Sequence, residues 1–154
     1  MSKLYLALGS NVGDRKKNIT DATMLCDALI GAVQTLSSLY ETEPWGFSSP
    51  NKFINAAICL ETDKSPELCL ALAKGIEREM GRKPSGKEGY EDRIIDIDIL
   101  FYDDLVIQTE ELTIPHPHIE ERDFVLNPLA EIAPELIEKL CNKRQKLPHW
   151  ESSD

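Results

Sequence analysis

The sequence is short of positive charge. Against 27 Asp and Glu stand 17 Lys and Arg, giving a net charge of −10 over 154 residues. That balance argues against a general nucleic-acid or anionic-membrane binder, since both need a basic surface. A small anionic ligand remains open, provided the few cations are concentrated locally. Long apolar runs are also missing, and no stretch approaches the roughly 20 residues of a membrane span. The start, Met1-Ser-Lys-Leu-Tyr-Leu-Ala-Leu, runs straight into strand-like sequence. It has no basic region followed by an apolar run and cleavage site, so no signal peptide and a cytoplasmic location are expected. The four cysteines, Cys26, Cys59, Cys69 and Cys141, include no C-x-x-C pair. They read as reduced, mostly buried thiols, not as a disulfide framework or a zinc site. No internal repeat or low-complexity linker interrupts the chain. A single domain over residues 1–154 is expected, with the polar stretch from Asn142 to Asp154 as a frayed tail.

What the sequence does have is one distinctive stretch, Arg93-Ile-Ile-Asp-Ile-Asp-Ile-Leu-Phe101. Isoleucines at 95, 97 and 99 alternate with Asp96 and Asp98, the pattern of a β-strand with one apolar face. The other face carries two carboxylates about 6.5–7 Å apart at the backbone. At an effective dielectric near 20 they repel by roughly 2–3 kcal/mol, and in bulk water by about 0.6 kcal/mol. Two readings stay open here. A solvated strand face tolerates the pair; a cleft requires something positive between the aspartates. Hard oxygen donors on a rigid element suit Mg²⁺, which takes one or two carboxylates and completes its shell with water and phosphate oxygens.

Residues 3–9 read as a buried strand, and Asp14 as the N-cap of a helix from about 15 to 30, with Ile19, Ala22, Cys26, Leu29 and Ile30 at helical spacing. A second strand is expected from Val33 to Glu41, a loop over 43–51 and a third strand from Lys52 to Thr62. Ser65-Pro66 starts a second helix, predicted to bury Leu68, Leu72, Ile76 and Met80 before Gly81 closes it. After the aspartate strand come a turn at Asp103-Asp104, a short strand Leu105–Ile107, and Ile114-Pro-His-Pro-His118, which two prolines keep from being a central strand. Residues 119–140 read as mostly helical, interrupted at Pro128 and Pro134. The order strand, helix, strand, strand, helix, strand is the βαββαβ pattern of ferredoxin-like α+β folds. The expected architecture is a mainly antiparallel sheet with helices on both faces, in three layers.

Other candidates for chemistry cluster nearby. Gly81-Arg-Lys-Pro-Ser-Gly86-Lys87 matches the first seven positions of a P-loop, but Glu88 replaces the Ser or Thr that ligates Mg²⁺. Its context is also inverted, with a helix before it and none after, so the match is coincidental. Arg82, Lys83, Lys87 and Arg93 still gather positive charge ahead of the acidic strand. They read either as ordinary surface cations or as an arch over a polyphosphate. His116 sits between two prolines and is stiffly held; His116-Pro-His118 lacks an evident third zinc ligand. Phe53 and Asn55 share a strand face, a suitable seat for a flat heterocycle, although Phe53 alone reads equally as core.

These residues carry a resemblance. Leu8-Gly-Ser-Asn11 with Gly13-Asp14, Tyr40-Glu-Thr42-x-Pro44-x-Gly46, Phe53-Ile-Asn55-Ala, Gly81-Arg82, Arg93-x-x-Asp96-Ile-Asp98-Ile-Leu, Pro115-His116-Pro and Glu121-Arg122-x-Phe124-Val-Leu occur in that order. Together they resemble the 6-hydroxymethyl-7,8-dihydropterin pyrophosphokinases of folate biosynthesis over roughly residues 4 to 135. The resemblance implies transfer of the β,γ-pyrophosphoryl unit of ATP to the pterin hydroxymethyl oxygen, releasing AMP. It implies two Mg²⁺ ions at Asp96 and Asp98, with Arg82 and Arg93 as further catalytic residues. ATP would be contacted by Arg82, Arg93, His116 and Arg122, and the pterin framed by Thr42, Pro44, Trp45 and Asn55. Phe53 and Phe124 would sandwich its ring, with Gly9 and Ser10 beneath. A monofunctional monomer acting on small molecules, with no nucleic-acid or membrane partner, is the implied form. Competing readings are a non-catalytic ligand-binding domain on the same fold, and a phosphohydrolase using Asp96, Asp98 and His116.

The sequence departs from the family pattern in the loop. Pro84 stands where a second arginine is usual, Tyr90 where a tryptophan is common, and Glu91-Asp92 where a neutral pair with proline is usual. Lys83 or Lys87 is therefore expected to supply part of the ATP contact. Truncating both to alanine should weaken ATP binding, measured by titration; unchanged affinity would end the substitution idea.

Overall fold

The computed structural model describes residues 1–43, 51–81, 93–117, 119 and 122–145. The elements are β1 (Ser2–Ser10), α1 (Arg15–Leu29), β2 (Ala32–Leu36), β3 (Tyr40–Thr42), β4 (Phe53–Thr62), α2 (Pro66–Glu79), β5 (Asp96–Tyr102), β6 (Ile107–Gln108), β7 (Thr113–Ile114), α3 (Asp123–Ile132) and α4 (Pro134–Gln145). Strands β2, β4, β1 and β5 lie in that order and β3 also pairs with β4, every pairing being antiparallel. The fold is α+β and ferredoxin-like, as expected.

Strand alternation divides the core into two layers. Leu4, Leu6, Leu8, Ile54, Ile58, Leu60, Ile97 and Ile99 face α1 and α2, packing on Ile19, Ala22, Cys26, Cys69, Ala73 and Ile76. Tyr5, Cys59, Leu100 and Phe101 face the other way, under Val125, Leu129, Ala133 and Leu136 of the α3–α4 region. A register shift between Tyr5 and Leu6 places Leu100 and Phe101 together on this second side. Asp14 caps α1 by accepting from the Lys17 N–H at 3.2 Å, and Ser65 caps α2 by accepting from Leu68 at 3.2 Å, with Pro66 in the first turn.

Several local expectations are corrected. The second strand is broken into β2 and β3 at Ser37, whose hydroxyl accepts the Ala57 N–H at 2.9 Å in place of a main-chain carbonyl. Helix α2 buries Pro66, Cys69, Ala73, Ile76 and Glu77, while Leu68 is 45% exposed. Of the stripe Leu68, Leu72, Ile76 and Met80, Ile76 is buried, and Leu72 and Met80 pack half-buried against the same core. Only Leu68 is turned out, because strict spacing of four advances about 40° per step and leaves its first member at the edge of the buried face. Leu29 is 46% exposed, at the edge of the face that carries buried Cys26 and Ile30. The strand read at Leu105–Ile107 is instead the short β6, paired with β7. Pro128 lies inside α3 with its ring buried, and only Pro134 marks a helix boundary. Helix α4 continues past Asn142 to Gln145. The P-loop-like segment falls outside the described residues, apart from Gly81, whose φ of +104° calls for glycine.

At the α1–β2 turn, a Cβ on Gly31 would lie 2.1 Å from the Glu61 carbonyl oxygen, so only glycine lets the turn pass against β4. Gly31→Ala should cost at least about 2 kcal/mol, read as a lower denaturant midpoint with an unchanged slope.

Candidate active site

The sheet face toward α3 is built in cross-strand rows. Gly9 of β1 lies opposite Asn55 of β4 on one side and Asp96 of β5 on the other. In the next row Ala7 lies between Ala57 and Asp98. The central strand thus contributes only small side chains, and the floor sinks between an aromatic–amide wall and an acidic wall. With strands about 4.8 Å apart, the two walls stand roughly 10 Å from each other. Gly9 has no slack: a Cβ there would come within 3.1 Å of Asn55 Oδ1 and 3.4 Å of the Phe53 ring. Asn55 is held in turn, its Nδ2 donating to Thr42 Oγ1 at 2.6 Å. Phe124 and Val125 of α3 close the far side.

The resulting cleft, about 590 Å³, is lined by Gly9, Thr42, Phe53, Asn55, Arg93, Asp96, Asp98, Arg122 and Phe124, among others. A second, wider cleft of about 850 Å³ runs along the outer edge of β5, lined by Lys74, Glu77, Arg93, Asp96, Asp98 and His116, among others. Arg93, Asp96 and Asp98 belong to both, and form the wall between them.

That wall is electrostatically loaded. The Arg93 guanidinium donates to Asp96 Oδ1 at 3.0 Å. Burial pushes the Asp98 carboxyl up to about 7, helped by the negative charge of Asp96; Arg122 and Arg93 oppose the shift and Glu77 adds to it. Arg122 is buried at 5% exposure, with its guanidinium carbon 5.8 Å from the Phe124 ring centre, within cation–π range. Among the described residues no group of three or more His, Cys, Asp or Glu gathers as a metal site. The donor set is the carboxylate pair, all oxygen, one member held against its own ionisation. This suits a hard divalent cation that brings most of its shell with it.

Of the residues singled out from the sequence, Gly9, Thr42, Phe53, Asn55, Arg93, Asp96, Asp98, Arg122 and Phe124 meet in the first cleft, and His116 lies in the second. Ser10 does not line either: strand alternation turns it toward α1, where it is fully buried and accepts from Asn18 Nδ2 at 3.1 Å. Pro44, Trp45, Arg82, Lys83 and Lys87 lie outside the described residues, as does His118.

Two side chains given no role in the sequence reading also matter here, Glu77 and the motif residue Asn11. Glu77, on the buried stripe of α2 at 4% exposure, accepts from the Ile97 N–H at 2.8 Å, between the two aspartates. An acid at a core position of an amphipathic helix was the available signal. Asn11, buried at 2%, accepts from the Arg93 N–H at 2.7 Å, donates its own N–H to the Arg93 carbonyl at 3.0 Å, and reaches the Asn51 carbonyl with Nδ2 at 3.3 Å. It fixes Arg93 relative to the entry of β4.

Comparison with solved structures supports the architecture. The chain superposes on an HPPK-DHPS protein crystallised in complex with substrates at a TM-score of 0.68 and 17% identity, covering 87% of this chain and 40% of that one. A Plasmodium falciparum HPPK-DHPS gives 0.69 at 19% identity, with 87% and 42% covered. At such identities the likeness establishes the fold, and the chain spans about 40% of those longer proteins. The class is therefore that of the HPPK-like α+β domains.

Sequence comparison goes further. The family model for 7,8-dihydro-6-hydroxymethylpterin-pyrophosphokinase matches residues 5–134. The 2-amino-4-hydroxy-6-hydroxymethyldihydropteridine pyrophosphokinase of Porphyromonas gingivalis is 45% identical over 136 residues, 87% of this chain and 92% of that protein. Its namesake from Aquifex aeolicus is 41% identical over 146 residues, 95% and 89%. The chain belongs to this pyrophosphokinase family and is an enzyme of that kind.

The raised Asp98 carboxyl has a consequence for stability. Its proton is held more tightly in the folded than in the unfolded chain, so the associated stabilisation is complete below pH 4 and lost as pH rises through about 7. In metal-free buffer, Asp98→Asn should raise the melting temperature at pH 8 by several degrees, about 2–4 °C per kcal/mol at this size. The gain should vanish near pH 4; equal melting curves at pH 8 would contradict the burial of this charge.

Proposed function

We propose that the enzyme transfers pyrophosphate from ATP to the hydroxymethyl group of 6-hydroxymethyl-7,8-dihydropterin, releasing AMP, in folate biosynthesis. One observation carries the reading: the two clefts have Arg93, Asp96 and Asp98 as their shared lining. An acceptor in one and a nucleotide in the other would meet at that wall and nowhere else.

In the first cleft, Phe53 and Phe124 take the flat pterin between them, and the Asn55 and Thr42 side chains offer donors and acceptors to its edge. Gly9 leaves the floor low enough for a ring to lie over β1. Pro44 and Trp45 belong to the same pocket in this reading. In the second cleft, His116 and Lys74 face the nucleotide, with Arg82, Lys83 and Lys87 contributing from the preceding loop. Arg93 and Arg122 neutralise charge at the transferring group, and the bond from Asn11 keeps the Arg93 backbone in place.

Asp96 and Asp98 would hold Mg²⁺, two ions in this reading, and the metal would supply neutralisation of phosphate charge for an in-line attack at the β phosphorus. The protein's own part is placement. It brings the hydroxymethyl oxygen and the β phosphorus to one wall, keeps the acidic pair rigid on β5, and excludes water by closing rings over the pterin. The chain is taken to act as a cytoplasmic monomer on these two small molecules.

Incubation with ATP, Mg²⁺ and the reduced pterin tests this directly. AMP should appear only when the pterin is present. Nucleotide hydrolysis without pterin would point to a phosphohydrolase, and no nucleotide change to a binding domain. Asp98→Ala should lower turnover by at least about a hundredfold with the circular dichroism spectrum unchanged; near-normal turnover would remove the metal assignment.

A further inference from the structure

Strand β3 is short and weakly moored. Its ladder pairs Tyr40, Glu41 and Thr42 with Asn55, Ile54 and Phe53 of β4. Upstream, Ser37 still bonds Ala57 of β4, through its N–H and its hydroxyl, before regular pairing lapses as far as Tyr40. Helix α3 rests on the sheet through Val125, Pro128 and Leu129. Apolar packing is non-directional, so it resists lifting of the helix better than sliding along it. Yet the first cleft needs these elements in register, because Thr42 of β3 and Phe124 of α3 both line it.

A carboxylate ties them together. Glu131 of α3 accepts from the Ser38 N–H at 3.0 Å with each oxygen, from Ser38 Oγ at 3.1 Å, and from Tyr40 Oη at 2.6 Å. These bonds hold its carboxyl below the usual range, so it accepts them as the full carboxylate at neutral pH. The bonds join segments 91 and 93 residues apart in sequence.

The spacing gives this contact its reach. Glu131 is seven residues beyond Phe124 on α3, two turns along the same side. Tyr40 is two residues before Thr42 on β3, on the same strand face. The pair Tyr40–Glu131 thus lies two turns along α3, roughly 10.5 Å, and one same-face position along β3, roughly 7 Å, from Phe124 and Thr42, which line the cleft.

We propose that Glu131 is a positioning residue for the pterin cleft: by clasping Ser38 and Tyr40 it sets the separation of Thr42 from Phe124, and hence the fit of the acceptor ring. The inference rests on the reading of that cleft as the pterin seat. It predicts a selective effect, because the second cleft, on the far side of Asp96 and Asp98, has no wall on β3 or α3.

The test is a set of three variants, Glu131→Gln, Tyr40→Phe and the double substitution, with steady-state kinetics for both substrates and equilibrium binding of the pterin by fluorescence. Glu131→Gln should raise KM and Kd for the pterin about five- to tenfold, the scale of one ordinary net hydrogen bond, with KM for ATP and kcat within about twofold. Tyr40→Phe should give a smaller rise in the same direction. The double variant should be no worse than Glu131→Gln alone, since both act through one contact. Unchanged pterin affinity in the folded variants overturns the proposal. So does a parallel fall in all parameters with the folded fraction, which marks a merely structural tie. If Glu131→Gln does not fold, Tyr40→Phe, which removes one hydroxyl, decides by the same criteria. A wild-type chain that binds no pterin overturns the reading of the cleft; a wild-type chain that binds, with variants binding equally well, overturns the clasp alone.

Discussion

Two carboxylates on alternate positions of one strand repel each other, and much of this molecule is arranged so that the repulsion persists. Asp96 is partly relieved by Arg93, while desolvation at half-buried Asp98, with Asp96 beside it, pushes that carboxyl up to about 7. Glu77 adds a further negative charge behind the strand, where the Ile97 amide engages it. A fold selected for stability alone would have removed one of these acids. Keeping them creates a standing demand for positive charge at this wall, which under the proposed function a cation and a nucleotide tail would meet.

The surrounding architecture turns that demand into a location. The small residues Gly9, Ala7 and Ala57 lower the sheet between the acidic wall and the Phe53–Asn55 wall. Arg93 is tied by its backbone to Asn11, so the end of β1 and the start of β5 move as a unit. Two clefts then meet at a single partition, and charge, floor and partition all derive from the register of three antiparallel strands.

How much of this was legible in the sequence depended on range. Period-two alternation is local, so the aspartate strand and its isoleucine face could be read directly, and so could the capping serine and proline of α2. The pairing of Phe53 with Asn55 on one face was legible for the same reason. The outward turn of Leu68 on α2 was not legible, because spacing of four looks helical while drifting around the axis. The break at Ser37 was hidden because its hydroxyl mimics a strand carbonyl only once β4 lies alongside. Pro128 reads as a breaker until its ring is found buried under α3. Glu77 and Asn11 act across elements distant in the chain, and the low floor is visible only when Gly9, Asn55 and Asp96 fall into one row. Membership of a known family supplied the chemistry; geometry supplied the partition and the clasp.

Strand β5 is the last in the sheet, which exposes it to a hazard unrelated to catalysis. An unpaired outer edge invites a neighbouring chain to add a strand, and its isoleucine-rich stretch has the β propensity to accept one. Here that edge is already taken: the Glu77 carboxylate occupies the Ile97 N–H, and the His116 N–H donates to the Leu100 carbonyl at 3.1 Å. Groups that border the second cleft therefore also occupy two of the edge positions through which a neighbouring strand would pair, which works against intermolecular sheet growth.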